Sequence, residues 1–247
     1  MNRIQLHSIN PKNNIKIKSW DIPSQNQVNS FIKSVSDVQK VWEKIKIESR
    51  VNLIKELSIS LKDQKKELST LIADEIGKPI VQGKLEINKC ILLCNYYSEI
   101  ANHTLCINNI ETEYFKSYVS HKPIGLVFGI MPWNFPFWQV LRFAVPALIV
   151  GNGVLLKHAS NVQGCANAIE HCFTDSGFPN NIFKNLQIPS DMVGKIIENN
   201  KVSGVVVTGS TEAGKAVAQK AGECLKKTVL ELGGNDPYII LDDTNVS

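Results

Sequence analysis

The chain has 247 residues, 43% of them hydrophobic and 20% charged, which allows one large domain or two small ones with a buried core and excludes an intrinsically disordered chain. Its net charge of +4 rests on lysine, because only Arg3, Arg50 and Arg142 among 27 basic residues are arginines. Nucleic-acid surfaces favour the guanidinium fork for phosphates and base edges, so this charge does not describe one.

The opening "MNRIQLHSINPKNN" has no apolar stretch of the kind a signal peptide needs. The longest apolar runs, "GLVFGIMPW" and "FAVPALIVG", are too short for a membrane span and contain Pro or Gly. A cytoplasmic location, without membrane or nucleic-acid partner, is the expectation. "INPKNNIKIKSW" reads as a turn and a short strand. Ser24 or Asn26 is placed to cap a helix through Val35, and Ser36 or Asp37 a second. Residues 49–77 carry amphipathic helices that stop at Gly77-Lys78-Pro79. Over 82–101, Leu85, Leu92, Tyr96 and Ile100 share one face, predicting that face as the buried one.

"TLCINNIETEYFKSYVSHKP" alternates like two strands. From Ile124 onward, strand, loop and helix repeat: "IGLVFGIM", "GVLLKHAS", "NIFKNLQ", "VSGVVVTG", "KKTVLELGG" and "PYIILDD" as strands, with helices between most of them. Two of these helices are expected to end at Gly177 and Gly222. The pattern predicts an α/β fold with a doubly wound parallel sheet, whose loops at the strand C-termini form the ligand-binding edge. The six cysteines (Cys90, Cys94, Cys106, Cys165, Cys172 and Cys224) form no CxxC pair. They read as reduced, mostly buried thiols, with Cys90 and Cys94 one helical turn apart in a core.

One stretch invites a specific chemistry. Gly209-Ser-Thr-Glu-Ala-Gly214-Lys215 has the GxxxxGK spacing of a phosphate loop, but Ala216 stands where the magnesium-binding Ser or Thr belongs. No later strand carries the partner Asp, which argues against ATP hydrolysis and leaves Lys215 as a solvated lysine. Gly209-Ser210 still follows a buried strand and opens a helix, a position where free N–H groups and the helix dipole favour an anion.

"MPWNFPFWQVLRFAVPALIVGNGVLLKHAS" at 131–160, "VTGSTEAGK" and "VLELGGNDP" together resemble the aldehyde dehydrogenase superfamily, in that family's order. Within it the chain is most similar to short bacterial succinate-semialdehyde dehydrogenases, through "EIGKPI", "QGKLEINKC", "NFPFWQVLR" and "KHAS". The resemblance implies the following roles. Asn134 would stabilise the tetrahedral oxyanion; by itself it reads as a turn residue beside Pro136. Trp133 would border the cofactor site; by itself it reads as a core aromatic. Lys157 would bond the adenosine ribose. Ser160 replaces the glutamate of NAD-preferring relatives and leaves room for a 2′-phosphate, so NADP is expected, with NAD possible. Gly209 and Ser210 match the cofactor phosphate loop, which differs from the absent GxGxxG pattern. Glu231 matches the general base that activates water, and Leu232 would touch the nicotinamide side. Arg142, eight residues after Asn134, resembles the clamp for a distal substrate carboxylate, where a guanidinium suits better than an ammonium. Without the resemblance, Arg142 reads as a surface or interface residue and Glu231 as a solvated charge. His158 replaces a usual proline and is given no chemistry.

The same resemblance divides the chain into an N-terminal helical part at 1–104, an oligomerisation β-arm at 105–121 and a dinucleotide-binding part at 122–247. It places the nucleophilic cysteine roughly thirty residues beyond Glu231, whereas all six cysteines precede Glu231. The expectation is therefore the N-terminal half of an aldehyde dehydrogenase, with a small aldehyde as substrate. Its partner would be a complementary C-terminal half or a homo-oligomer. The alternative is a non-catalytic NADP-binding or oligomerisation module. Exposed apolar surface and unpaired strand edges should follow, with poor solubility or association.

Overall fold

The computed structural model describes residues 5–244, so the outermost residues of the expected 1–104 and 122–247 parts, Arg3 among them, lie outside the described residues. Strands β1 (Gln5–Ile9) and β2 (Lys16–Asp21) form an antiparallel hairpin in which buried Leu6 faces buried Trp20. The sequence reading had only the second of these strands. Helix α1 runs unbroken over Gln25–Trp42 from a Ser24–Gln27 capping box. The expected break at Ser36 is absent, because Val28, Ile32, Val35, Gln39 and Trp42 continue one buried stripe through Ser36, itself buried. Trp42 locks the end by donating its indole N–H to the Leu148 carbonyl at 2.9 Å.

Helices α2 (Ile47–Asp63) and α3 (Lys65–Ile76) follow, and Gly77 closes α3 with a left-handed residue at φ 71°. Helix α4 (Ile80–Thr104) corrects the predicted face: Leu85, Leu92 and Tyr96 are exposed, while Gly83, Glu86, Ile87, Cys90, Cys94 and Ala101 are buried. Gly83, Cys90, Cys94, Ser98 and Ala101 keep much of the contact face small where α4 packs against α2, α3 and the helix after β5. Strands β3 (Asn108–Ile110) and β4 (Ser117–Val119) form an exposed antiparallel hairpin.

The remaining elements build the sheet. They are β5 (Leu126–Met131), α5 (Pro136–Val150), β6 (Gly153–His158), α6 (Gln163–Asp175), β7 (Phe183–Asn185), α7 (Val193–Glu198), β8 (Val202–Gly209), α8 (Thr211–Glu223) and β9 (Lys227–Leu232). Short 3-10 turns at Ser160–Val162 and Ser190–Met192 precede α6 and α7. All five strands are parallel in the order β7-β6-β5-β8-β9. The chain winds outward from β5 in one direction, then returns to wind in the other. The loops after β5 and β8 therefore diverge and leave a crevice at their C-terminal ends.

Two buried clusters cover the sheet. Phe137, Leu141, Leu148, Leu156 and Phe173 belong to the larger one, with α2 and α4. Val28, Ile32, Phe128, Leu155, Val205 and Val217 belong to the other. The buried carboxylate of Glu75 accepts from Ser8 and from the N–H groups of Gly164 (2.8 Å) and Cys165 (2.9 Å), so a residue of α3 caps α6 across the fold.

Two further expectations are corrected. Helix α8 does not end at Gly222 but continues to Glu223, and Leu225 (φ 53°) takes the left-handed turn. "PYIILDD" joins no sheet: Tyr238, Ile239, Ile240 and Leu241 are exposed and outside any strand. An apolar run becomes a strand only beside an edge that pairs it, and β9, the last strand of the sheet, pairs only with β8 and is exposed throughout.

Candidate active site

The candidate residues converge on the C-terminal edge of the sheet. Asn134 lies in the short loop between β5 and α5, with Pro136 opening the helix. Its carbonyl accepts from Lys78 Nζ at 2.8 Å, and the same ammonium pairs with Glu86 Oε2 at 2.7 Å and sits 3.5 Å from the centre of the Phe135 ring. Glu86 Oε1 accepts the N–H groups of Phe137 (2.9 Å) and Trp138 (3.1 Å), the free donors of the first turn of α5. A carboxylate on α4 thus caps α5 while holding the lysine that grips the loop.

His158 closes the loop from the other side. Its Nε2 lies 3.0 Å from the Pro136 carbonyl and its Nδ1 3.3 Å from the Met131 carbonyl, while the Ala159 N–H donates to both Nδ1 (2.9 Å) and the Met131 carbonyl (3.0 Å). Burial pushes this imidazole down to about 4, so it is neutral at neutral pH. Lys78, Glu86 and His158 hold the backbone on either side of an exposed Asn134 side chain. Sequence reasoning gave none of the three a role. The signal was there in Lys78 of the helix stop and in a lone Glu on the inner face of α4, but their partners are too distant in the chain to read.

Trp133 is 53% exposed, which removes its alternative reading as a core aromatic. Lys157, on β6, is buried; its Nζ reaches Ser190 Oγ at 3.2 Å, and burial lowers its affinity for a proton. Ser160 is exposed where the chain leaves β6 for the 3-10 turn.

The GxxxxGK stretch is not a wrapped phosphate loop. Ser210 caps α8 by accepting the Ala213 N–H at 3.2 Å, and Thr211 onward is helical. Gly214 serves packing, since a Cβ there would lie 2.4 Å from Leu232 Cδ2. Leu232 therefore rests on α8. At Gly209 a Cβ would meet only Ala213 at 3.8 Å, an ordinary contact. Among the described residues none crowds that position, so the backbone at the N-terminus of α8 is open to an approaching group. The anion-favouring helix end, the bare backbone at Gly209 and the lysine on β6 fit a dinucleotide.

Arg142, Thr208 and Glu231 meet at the same edge. Thr208 and Glu231 are register partners on β8 and β9. Arg142 Nη2, two turns along α5 from Asn134, donates to Thr208 Oγ1 at 3.2 Å and lies 3.4 Å from Glu231 Oε2. Sequence reasoning gave Arg142 and Glu231 separate tasks and missed both their contact and Thr208.

The cysteines stand apart. Burial raises Cys94 and Cys172 to about 12, and Cys90 and Cys165 also lie well above the ordinary range, so these four are poor nucleophiles. Cys106 is exposed beside the β3–β4 hairpin and Cys224 is partly exposed after α8. A cavity of about 830 Å³ lies between Asp21–Ser24, Phe31, His171 and Lys184–Gln187, and none of the candidate residues lines it. Among the described residues no helix is long and apolar enough to cross a membrane.

A parallel sheet wound in both directions from its centre, with its polar loops gathered at one edge, defines a doubly wound α/β protein of the nucleotide-binding type. The pattern of the aldehyde dehydrogenase family matches residues 2–247, and the chain belongs to that family. It is 36% identical over 239 residues to the succinate semialdehyde dehydrogenase [NAD(P)+] of Escherichia coli K12, covering 97% of this chain and 52% of that protein. It is 35% identical to the succinate-semialdehyde dehydrogenase [NADP(+)] of Deinococcus radiodurans, covering 95% of this chain and 49% of that one. The crystal structure of the Streptococcus pyogenes succinic semialdehyde dehydrogenase in complex with NADP+ superposes with a TM-score of 0.92 at 30% identity, covering 97% of this chain and 53% of that chain. The chain spans about half the length of the curated relatives it matches. These relatives are named as dehydrogenases, so the comparisons lend no support to a stand-alone non-catalytic module.

Proposed function

We propose that this chain supplies the cofactor-binding half of an NADP-using succinate-semialdehyde dehydrogenase, with NAD accepted less well. The observation that carries the reading is convergence. Asn134, Gly209-Ser210 and Glu231 are far apart in sequence, yet each stands at or just beyond the C-terminal end of one of three adjacent strands.

Lys157 and Ser160 would hold the adenosine ribose, with the short Ser160 leaving space for a 2′-phosphate. Gly209 and Ser210 would receive the pyrophosphate at the N-terminus of α8, and Trp133 and Leu232 would line the nicotinamide end. When bound, the cofactor supplies the hydride acceptor. The side-chain N–H of Asn134 would stabilise the oxyanion, an interaction worth roughly 3–4 kcal/mol in comparable sites. Glu231 would take a proton from the water that releases the acid, and Arg142 would pair with the substrate's distal carboxylate. The thiolate would come from beyond Glu231, in the part of the relatives that this chain does not span. The β3–β4 hairpin would be the oligomerisation arm, and the division at 1–104, 105–121 and 122–247 follows from these roles.

Calorimetric titration of the chain with NADP+ and NAD+ tests the reading. NADP+ should bind more tightly, and Lys157→Met should weaken both cofactors by about tenfold. Failure of the folded chain to bind either cofactor would overturn it.

A further inference from the structure

The contact between Arg142 and Glu231 links two tasks that the proposed function keeps separate. Arg142 Nη2 donates to Thr208 Oγ1 at 3.2 Å and lies 3.4 Å from Glu231 Oε2. The second distance is long for a charge-assisted bond and involves one nitrogen and one oxygen, not a two-point fork. Glu231 is 52% exposed and Arg142 26%, so water reaches the pair and a soluble anion has access to it. A carboxylate arriving from solution can engage the guanidinium through two parallel bonds, and would outcompete the single long contact.

We propose that the distal carboxylate of the substrate displaces Glu231 from Arg142, so that the water-activating carboxylate is released only when an aldehyde bearing a second, anionic end is bound. The inference rests on the reading of Arg142 as the carboxylate site and adds a coupling to it. Without a carboxylate ligand, Glu231 is held toward α5 by Arg142. With one, Arg142 is neutralised by the ligand, and like charge drives Glu231 away. An uncharged aldehyde leaves the resting pair intact. Selectivity for an acidic aldehyde then comes from the freeing of the base as well as from binding.

The test uses the whole 247-residue chain, labelled with carbon-13 at the glutamate carboxyl, with succinate as probe and succinamide as its uncharged counterpart at constant ionic strength. Succinate should move the Glu231 carboxyl resonance and the Arg142 side-chain resonances along one saturation curve, and succinamide should move neither. Arg142→Lys should weaken succinate by about tenfold. Glu231→Gln should tighten it by roughly fivefold, the low end of ordinary coupling between sites. Glu231→Asp should tighten it as well. Aspartate keeps the charge but is one methylene too short for the contact, so its effect separates displacement from bulk charge. Succinate binding that depends on Arg142, with an unmoved Glu231 resonance and no tightening in Glu231→Asp, would overturn the coupling and leave the substrate reading standing. No succinate binding at millimolar concentrations would overturn both.

Discussion

Glu86 Oε1 accepts the backbone N–H of Phe137 at 2.9 Å, so a side chain of α4 terminates the helix that follows Asn134. The carboxylate is fully buried and its other oxygen holds Lys78, which grips the Asn134 carbonyl. Removing one member of a buried pair leaves the other charge uncompensated, at a cost of about 3–5 kcal/mol. Glu86→Ala should therefore lower stability by that amount in urea unfolding, and a loss below about 1 kcal/mol would show that water replaces the cap.

His158 makes stability depend on acidity. Its folded value is depressed from 6.5 to about 4, chiefly by burial. Between those values the unfolded chain binds the proton and the folded one does not, so stability falls as pH falls through this window. The loss amounts to about 3 kcal/mol across it. Above 6.5 this residue contributes no slope. Urea midpoints between pH 7.5 and 4.5 should show the decline, and His158→Gln should flatten it.

Thiol accessibility gives a third check. Cys106 is exposed and Cys224 partly so, while Cys90, Cys94, Cys165 and Cys172 are buried and hard to ionise. A disulfide reagent at neutral pH should label Cys106 fast and Cys224 more slowly. The other four should react only at the rate of unfolding. Rapid native labelling of more than two sites would contradict the packing of α4 and α6.

Ser160 is the residue through which cofactor choice should be reversible. A carboxylate there would face the 2′-phosphate, and like charges brought together oppose binding. Ser160→Glu should weaken NADP+ by about tenfold or more relative to NAD+. An unchanged ratio of the two dissociation constants would remove Ser160 from the site.

Phe115 and Tyr238–Leu241 present large apolar side chains to solvent, and β9 is exposed along its length. Such surfaces associate. Light scattering should find concentration-dependent self-association of the chain, reduced by the double substitution Ile239→Lys with Leu241→Lys. A monodisperse monomer at all concentrations would refute this.

Where local physics acts alone, the sequence was readable. Ser24, one of the two cap candidates, starts α1, Gly77 ends α3, and the short apolar runs after Ile124 become β5, β6 and β8. The stretches that hold Asn134, Gly209-Ser210 and Glu231 were legible as strand-end segments, and the structure puts them at the ends of β5, β8 and β9. Reading failed where a neighbour decided the outcome. Ser36 looks like a cap until the buried stripe of α1 passes through it. The Leu85–Leu92 face of α4 looks like a core face until the smaller Gly83, Cys90 and Ala101 allow the closer approach.

The alternation of strands with helices, the capping chemistry and the family motifs are properties of short segments, and the amino-acid sequence by itself determined them. Tertiary structure decided which distant groups meet: Glu86 with the first turn of α5, His158 with Pro136, and Arg142 with Glu231. The physical reason is that strand order and helix packing set these distances, and neither can be deduced from the spacing of residues along one chain.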